Sequence, residues 1–367
     1  PSLTEVEEVV CDWLRQLTGL SEAWSGTIHD TASTACVVAM ILARERASEL
    51  GKNAGGLQSA PAPLIVYTTS QAHSSVAKAV QLAGFGNDNL RLVDEDPYTR
   101  AMVPSALSSA IEADLEAGSV PAGIVCSVGT TGTTAMDPVE EIAAIANRHH
   151  AWLHVDAAMA GSAMLLPECR HLWQGVEQAD SLAWNPHKWI GTILDTAMFY
   201  VRDVDFLERV MSTNPAYLRS SADGNVTQYR DWGIPLGRRF RALKLWFHLR
   251  LDGPDAIRHR LRRDLENARW FREQVEAAEN WEVVAPVELQ TVCIRHVPFD
   301  SSGAPLSGES LDAHTLAWVE KINASGDAFM SPSVLDGRWM VRVSIGVETT
   351  TREHVARLWQ LIRDAAE

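Results

Sequence analysis

The middle of the chain alternates between short apolar runs and stretches with helical periodicity. The strand candidates are residues 64–67, 90–93, 123–128, 152–156, 181–184 and 197–201. Helical stretches such as residues 138–148 lie between them. This alternation is typical of a mainly parallel sheet that is covered by helices on both faces. The sequence therefore predicts an α/β fold.

The pattern changes near residue 255. Beyond it the chain shows strand candidates at residues 281–284, 291–297 and 339–345, together with two amphipathic helices. A chain of 367 residues is long enough for one large domain and one smaller domain. We therefore predict a large domain at residues 1–255 and a small C-terminal α+β domain at residues 256–367.

Three more helices are predicted outside the alternating region. A capping-box pattern that begins at Thr4 predicts a helix over residues 4–18. An Ala-rich helix is predicted from Thr31 to Leu50, and the hydroxyl residues at its start suit either a helix cap or an anion site. The third helix is predicted from Leu236 toward Gly253, with apolar residues on one side.

Charge and cysteine content argue against several classes of protein. The formal net charge is -15 at pH 7, which disfavours a general nucleic-acid or anionic-membrane surface. No apolar run approaches the ~20 residues of a membrane span, and the start shows no signal-peptide pattern. The five cysteines are scattered without a Cys-x-x-Cys pair, so neither a disulfide framework nor a zinc site is predicted. We expect a cytoplasmic protein without a bound metal.

Two polar residues follow neighbouring strand candidates. Lys188 lies in Asn185-Pro186-His187-Lys188-Trp189, after the run 181–184, and Asp156 ends the run 152–156. Open α/β sheets bind ligands at such carboxyl ends. A reactive lysine needs partial burial to bring its pKa below about 10.4, and a carboxylate beside an activated lysine suits pyridoxal phosphate. A surface lysine and a structural ion pair are the alternatives.

The segments Asn185-Pro186-His187-Lys188-Trp189 and His154-Val155-Asp156-Ala157-Ala158 resemble those of the group II pyridoxal-phosphate decarboxylases, specifically the aromatic-L-amino-acid decarboxylases. The resemblance runs nearly end to end, through Leu236-Gly237-Arg238-Arg239-Phe240. It implies an aspartate aminotransferase-like, fold-type I large domain, pyridoxal 5'-phosphate as cofactor, and a homodimer with active sites at the subunit interface. Family members usually carry a helical arm before the segment that begins here at Pro1, so either this arm is absent from the chain or the numbering starts after it.

The resemblance also implies roles for individual side chains. Lys188 is expected to form the Schiff base with the cofactor, and Asp156 to pair with the ring nitrogen. His73 is expected to stack on one face of the ring and Ala158 on the other, while Thr131 contacts the ring. The residues expected around the phosphate are Thr31, Ala32, Ser33, Asn185 and His187.

Two further residues concern the substrate. Tyr217 precedes a polar loop at residues 219–227 that is expected to close over the site, and the resemblance implies that Tyr217 protonates the substrate carbon. The predicted catalytic set is therefore Lys188, Asp156, His73 and Tyr217. Gly237 is expected to border the substrate pocket, where the lack of a side chain favours an indole.

The reaction that the resemblance implies is decarboxylation of an aromatic L-amino acid to its amine and carbon dioxide. The substrate would be of the tryptophan, tyrosine, phenylalanine or dopa type. One alternative is an aromatic aldehyde synthase, against which Tyr217 and His73 both argue. Another is a sister decarboxylase that acts on an acidic or a diamino acid.

Overall fold

The computed structural model describes residues 2–213 and 226–367, and its larger sheet has seven strands. They are β1 Ser25–His29, β2 Leu64–Thr68, β3 Leu90–Leu92, β4 Val120–Ser127, β5 Trp152–Asp156, β6 Ser181–Trp184 and β7 Ala197–Val201. Their spatial order is β1-β7-β6-β5-β4-β2-β3. Only β7 runs against its neighbours, and the other strands share one direction. The predicted α/β fold with a mainly parallel sheet is confirmed.

Helices cover both faces of this sheet. One face carries α2 Ala32–Ala47, α3 Ser75–Leu82 and α6 Val204–Met211. The other carries α1 Ser2–Thr18, α4 Pro104–Glu116, α5 Val139–Arg148 and α7 Ala242–Leu251. Successive side chains of a strand point to opposite faces, so that Ile124 of β4 enters the core with α5 while Val125 enters the core with α2. Burial on both faces explains why these strands read as continuous apolar runs.

The C-terminal part forms a second, antiparallel sheet. Its strands are β8 Trp281–Val283, β9 Thr291–His296, β10 Ser331–Leu335 and β11 Arg338–Ser344, in the order β10-β11-β9-β8. Three helices accompany it, namely α8 Gly253–Glu276, α9 Gly308–Ser325 and α10 Arg352–Ala366. Helix α8 belongs to both halves, because Ile257 and Leu261 pack in the core of the large sheet while Phe271 and Val275 pack in the core of the small one. The predicted domain division near residue 255 falls within α8 and stays a prediction.

Three elements differ most from the sequence-based prediction. The helix predicted from Leu236 begins only at Ala242, because the Arg238 guanidinium bonds to Glu7 and to the Ile28 carbonyl instead. Strand β1 was not predicted, since its sequence Ser-Gly-Thr-Ile-His lacks apolar alternation and its pairing with β7 supplies the stability. Strand β10 was also missed because it contains Pro332, which an edge strand tolerates.

Two general properties of the described residues bear on the predictions. None of their helices is both long enough and apolar enough to cross a membrane. Cys11, Cys36, Cys126, Cys169 and Cys293 are all free thiols, and all are buried.

Candidate active site

A cavity of about 180 Å³ lies at the carboxyl ends of β4 and β5. Ser127 ends β4 and Asp156 ends β5, and the two residues are adjacent in the strand register. The start of α2 and the turn after β6 form other walls. Every residue that the sequence predicted as a cofactor contact lines this cavity, namely Thr31, Ala32, Ser33, His73, Thr131, Asp156, Ala158, Asn185, His187 and Lys188.

Lys188 stands in a tight turn after β6. Its backbone N–H donates to the Asn185 carbonyl at 2.9 Å, which directs the side chain into the cavity that it lines. Lys188 is exposed to the open cavity, but the protein atoms around its amine partly remove it from water, and this burial lowers the pKa of Lys188. The nearby Asp156 carboxylate acts in the opposite direction, and the Arg342 guanidinium lowers this pKa further. A larger fraction of the amine is therefore uncharged than in water.

Asp156 is a buried carboxylate, with 6% of its surface exposed. Its Oδ1 accepts the backbone N–H of Ala158 at 3.0 Å. This bond fixes the carboxylate at the end of the strand, next to Ala158, which also lines the cavity. Because burial in a low-dielectric site makes the negative charge costly when it has no partner, the carboxylate is well suited to a cationic group of a ligand.

The start of α2 supplies the part of the cavity suited to an anion. Thr31 caps the helix, with its side chain accepting the backbone N–H of Thr34 at 3.4 Å. Asn185 joins this helix to the lysine turn, because its Oδ1 accepts the backbone N–H of Ala32 at 3.0 Å. The partial positive charge at a helix start attracts phosphate groups. These walls are complementary to the phosphate end of the cofactor.

Two histidines have defined ring tautomers in the cavity wall. His73 Nδ1 accepts the backbone N–H of Ser75 at 3.1 Å, and His187 Nδ1 accepts that of Thr196 at 2.9 Å. A neutral imidazole that accepts at Nδ1 carries its hydrogen on Nε2. Burial lowers the pKa of His187, which favours this neutral form. Each ring therefore keeps one N–H for another partner.

The cavity also contains residues that sequence reasoning missed. Ser75, Ser127, Gly129, Thr130 and Met159 all line it. Ser127 could have been found by the rule that selected Asp156, because both residues end buried parallel strands.

Arg342 of β11 was also missed. Its Nε donates to the Gly132 carbonyl at 3.1 Å, which places the guanidinium against the turn after β4. The signal was an arginine between two buried valines of a strand, Val341 and Val343.

Two predicted residues are not placed in this cavity. Tyr217 lies outside the described residues. Gly237 is exposed and does not line the cavity, and nothing lies within 4 Å of a Cβ atom built on it. A role for Gly237 in substrate binding stays a prediction, as does a catalytic role for Tyr217.

The donor set fits pyridoxal phosphate. It combines an amine of lowered pKa, a buried carboxylate, an imidazole and a helix start within one cavity, and these groups match the aldehyde, the ring nitrogen, the ring face and the phosphate. Together with the mainly parallel sheet, they define a fold-type I pyridoxal-phosphate enzyme.

Comparison with known proteins identifies the family. Residues 1–297 match the model of the pyridoxal-dependent decarboxylase conserved domain. The chain is 39% identical to phenylacetaldehyde synthase of Arabidopsis thaliana, over 100% of this chain and 74% of the relative. It is also 39% identical to tryptophan decarboxylase 2 of Oryza sativa subsp. japonica, over 100% of this chain and 73% of the relative.

A solved structure agrees with these relatives. The crystal structure of Oryza sativa TDC with PLP and tryptamine matches with a TM-score of 0.94 and 36% identity, over 100% of this chain and 76% of that one. The chain belongs to the pyridoxal-dependent decarboxylases, in the aromatic-L-amino-acid decarboxylase family. It is a carboxy-lyase that depends on pyridoxal phosphate.

Proposed function

We propose that the protein decarboxylates an aromatic L-amino acid to the corresponding amine and carbon dioxide. The observation that supports this most directly is the single cavity that contains Lys188, Asp156 and His73, in a chain 39% identical to a tryptophan decarboxylase. The small amino-acid substrate would enter the same cavity.

Each residue has a distinct task in this mechanism. When bound, pyridoxal phosphate supplies an electron-accepting ring conjugated to the amino group of the substrate. Lys188 binds the cofactor through its amine, whose lowered pKa keeps part of it uncharged and nucleophilic. Asp156 holds a proton on the ring nitrogen by its negative charge. His73 orients the ring, and Tyr217 is expected to donate a proton to the substrate carbon that lost carbon dioxide.

A second candidate is an aromatic aldehyde synthase, which decarboxylates its substrate and deaminates it oxidatively with oxygen. It is favoured by the 39% identity to phenylacetaldehyde synthase, equal to that of the decarboxylase. The family resemblance of Tyr217 and His73 favours the amine product instead.

Product analysis tests both candidates. Purified protein with cofactor is incubated with tryptophan, tyrosine, phenylalanine, dopa, glutamate and diaminobutyrate, and amine, aldehyde and hydrogen peroxide are assayed together. Amine alone from an aromatic substrate supports the proposal. Equal amounts of aldehyde and peroxide identify the synthase, and turnover of only glutamate or diaminobutyrate contradicts both.

A Gly237→Ser variant tests substrate choice, because the added hydroxymethyl group is expected to reduce the preference for tryptophan over tyrosine.

A homodimer is supported by an apolar surface beside the lysine turn, which we name the α7 patch. It consists of Leu243, Phe247 and Leu251, exposed at four-residue spacing on α7, with Ile193 and Leu194. The loop of the last two is held to α7, since Arg241 Nη2 donates to Asp195 Oδ2 at 2.9 Å. An exposed apolar patch of this kind marks an association surface.

A second copy of the chain is the proposed partner of the α7 patch, because Ile193 is only five residues from Lys188 and contact there would complete the site. Sedimentation equilibrium is expected to give a dimer that Phe247→Glu converts to a monomer. Leu82→Glu, at an exposed position on α3, serves as the control. A dimer that survives Phe247→Glu unchanged would place the interface elsewhere.

A further inference from the structure

Trp189, the residue directly after Lys188, is fully buried, with an exposure of 0%. Its indole Nε1 donates to Asp264 Oδ2 at 3.1 Å. Asp264 lies on α8 and is also 0% exposed. Burying a carboxylate costs free energy unless hydrogen bonds compensate for the loss of water. The bond from Trp189 is one of these, and it fixes the position of the indole relative to α8.

Arg260 reaches the same turn from one helical turn earlier on α8. Its Nη2 donates to the Trp189 carbonyl at 3.3 Å and also to the Ile190 carbonyl. Gly191 has a φ of +81°, and a Cβ atom there would lie 3.0 Å from Arg260 Nη1. The chain after Lys188 is thus bent closely around the guanidinium.

The other side of the Trp189 ring is closed by the segment after β11. A Cβ atom on Gly346 would lie 3.0 Å from Trp189 Cδ1, so a side chain at residue 346 would press on the indole. Arg263, which donates to Asp264 Oδ1 at 3.4 Å, also donates to the Glu348 carbonyl of this segment at 2.7 Å. The indole is therefore enclosed between α8 and the small sheet.

We propose that Asp264 and Arg260 are positioning residues, which fix the backbone of Lys188 through Trp189. The lysine amine stands at the end of four rotatable bonds, so its position depends on how firmly its Cα atom is held. A displacement of about 1 Å in a reacting group can reduce a rate a hundredfold. This inference rests on the proposed role of Lys188 as the residue that binds the cofactor.

The test measures cofactor capture rather than turnover. Pyridoxal phosphate is mixed with the cofactor-free protein, and the rate at which its absorbance changes is followed by stopped flow. Trp189→Phe and Asp264→Leu are expected to slow capture about tenfold, as expected for loss of a buried hydrogen bond to a charged group. Asp264→Asn keeps an acceptor for the indole and is expected to restore most of the rate.

A double variant tests whether the two residues act through one bond. Trp189→Phe/Asp264→Leu should be no slower than the slower single variant, whereas independent effects would multiply. Trp184→Phe is the matched control, because Trp184 is equally buried and its Nε1 has no hydrogen-bond partner in the described structure. Arg260→Lys is expected to slow cofactor capture as well. Its control is Arg258→Lys, because Arg258 lies on the same helix but donates to the Leu165 carbonyl.

Three results would decide the matter. Capture by Trp189→Phe as fast as by Trp184→Phe would overturn the inference, as would multiplying effects in the double variant. Loss of thermal stability with unchanged capture would show that the contacts are structural only. If Asp264→Leu does not fold, Trp189→Phe and Arg260→Lys carry the same test.

Borohydride reduction and peptide mapping of the unaltered protein check Lys188 separately, because label on another lysine would refute the proposed function itself.

Discussion

At the scale of single residues, the site depends on charges that are held away from water. Asp156 is almost fully buried and is fixed by one backbone hydrogen bond, while burial lowers the pKa of Lys188. Around a buried carboxylate such as Asp156 each electrostatic interaction is stronger than in water. Changes that preserve shape and remove one charge or one proton are therefore the most informative.

Asp156→Asn keeps the shape of the side chain and removes its charge. The variant should still bind the cofactor, but turnover should fall at least about a hundredfold, since an electrostatic contact in a preorganised site is worth about 3 kcal/mol or more. Steady-state kinetics and the absorbance of bound cofactor measure both effects. Asp180→Asn, directly before β6 and paired with Arg46 at 2.7 Å, is the control. Near-normal turnover of Asp156→Asn would mean that another acid serves the ring nitrogen.

Tyr217→Phe removes only a hydroxyl group. If that hydroxyl delivers the proton that completes decarboxylation, its loss would leave the substrate carbon unprotonated and open to attack by oxygen, so aldehyde, ammonia and peroxide should replace the amine. Chromatography of the products with a peroxide assay checks this. Tyr98→Phe, at a highly exposed tyrosine, is the control. Uniform slowing with amine as the sole product would show that Tyr217 does not act as the acid.

At the scale of elements, the site joins segments that are distant in sequence. Asn185 Oδ1 accepts the first N–H of α2, across 153 positions in the sequence, and so connects the helix start to the lysine turn. The helix start that would hold the phosphate of the cofactor and the turn that carries Lys188 are thereby linked directly.

Asn185→Ala leaves a buried backbone N–H of Ala32 without its acceptor. Because an unsatisfied buried group costs about 1–3 kcal/mol, the start of α2 should shift to find another acceptor, and we expect the dissociation constant for pyridoxal phosphate to rise about tenfold or more. Fluorescence titration measures it. Asn323→Ala is the control, because Asn323 likewise bonds to a backbone segment, at Met330, but in the small sheet's half of the chain. Equal affinity in the two variants would contradict the proposed link.

The elements that sequence reasoning recovered were those whose pattern is local. Strands β5, β6 and β7 were predicted with the observed bounds because each is one apolar run buried on both faces. Asp156 and Lys188 were found because they follow such runs. Asp264 could not be found, since within the described residues it reaches the lysine turn through a bond from Trp189, 75 positions away. Strand β1 was missed because its pairing, rather than its composition, makes it a strand.

At the scale of the whole molecule, buried ionisable groups determine how stability depends on pH. Burial lowers the pKa of His29 to about 3, and those of His154 and His296 to about 4. A folded-state pKa below the unfolded value of about 6.5 gives stability that is present above that value and lost as pH falls. Burial raises the pKa of Asp137 to about 6, so this carboxyl acts in the opposite direction and gains stability as pH falls below 6.

We therefore expect the free energy of unfolding to fall as pH decreases from 6.5 toward 4. Each buried histidine contributes about 1.4 kcal/mol per pH unit, and Asp137 offsets about one of them. Urea unfolding at several pH values measures the slope, which His296→Gln should reduce by one histidine's share. His259→Gln, at an exposed histidine of α8, should leave it unchanged. A slope that is the same in both variants would remove His296 from this account.

Helix α8 also limits how members of this family can exchange parts. A graft that replaced everything after residue 255 with the matching piece of a relative would bring the relative's residues to positions 260 and 264, but would leave Trp189 of this chain in place. In such a chimaera Trp189 would face a helix that need not offer the carboxylate and the guanidinium to which it bonds in this chain. Recombination near residue 255 should succeed only when the donor brings both partners of the tryptophan, and residues 189, 260 and 264 are expected to vary together.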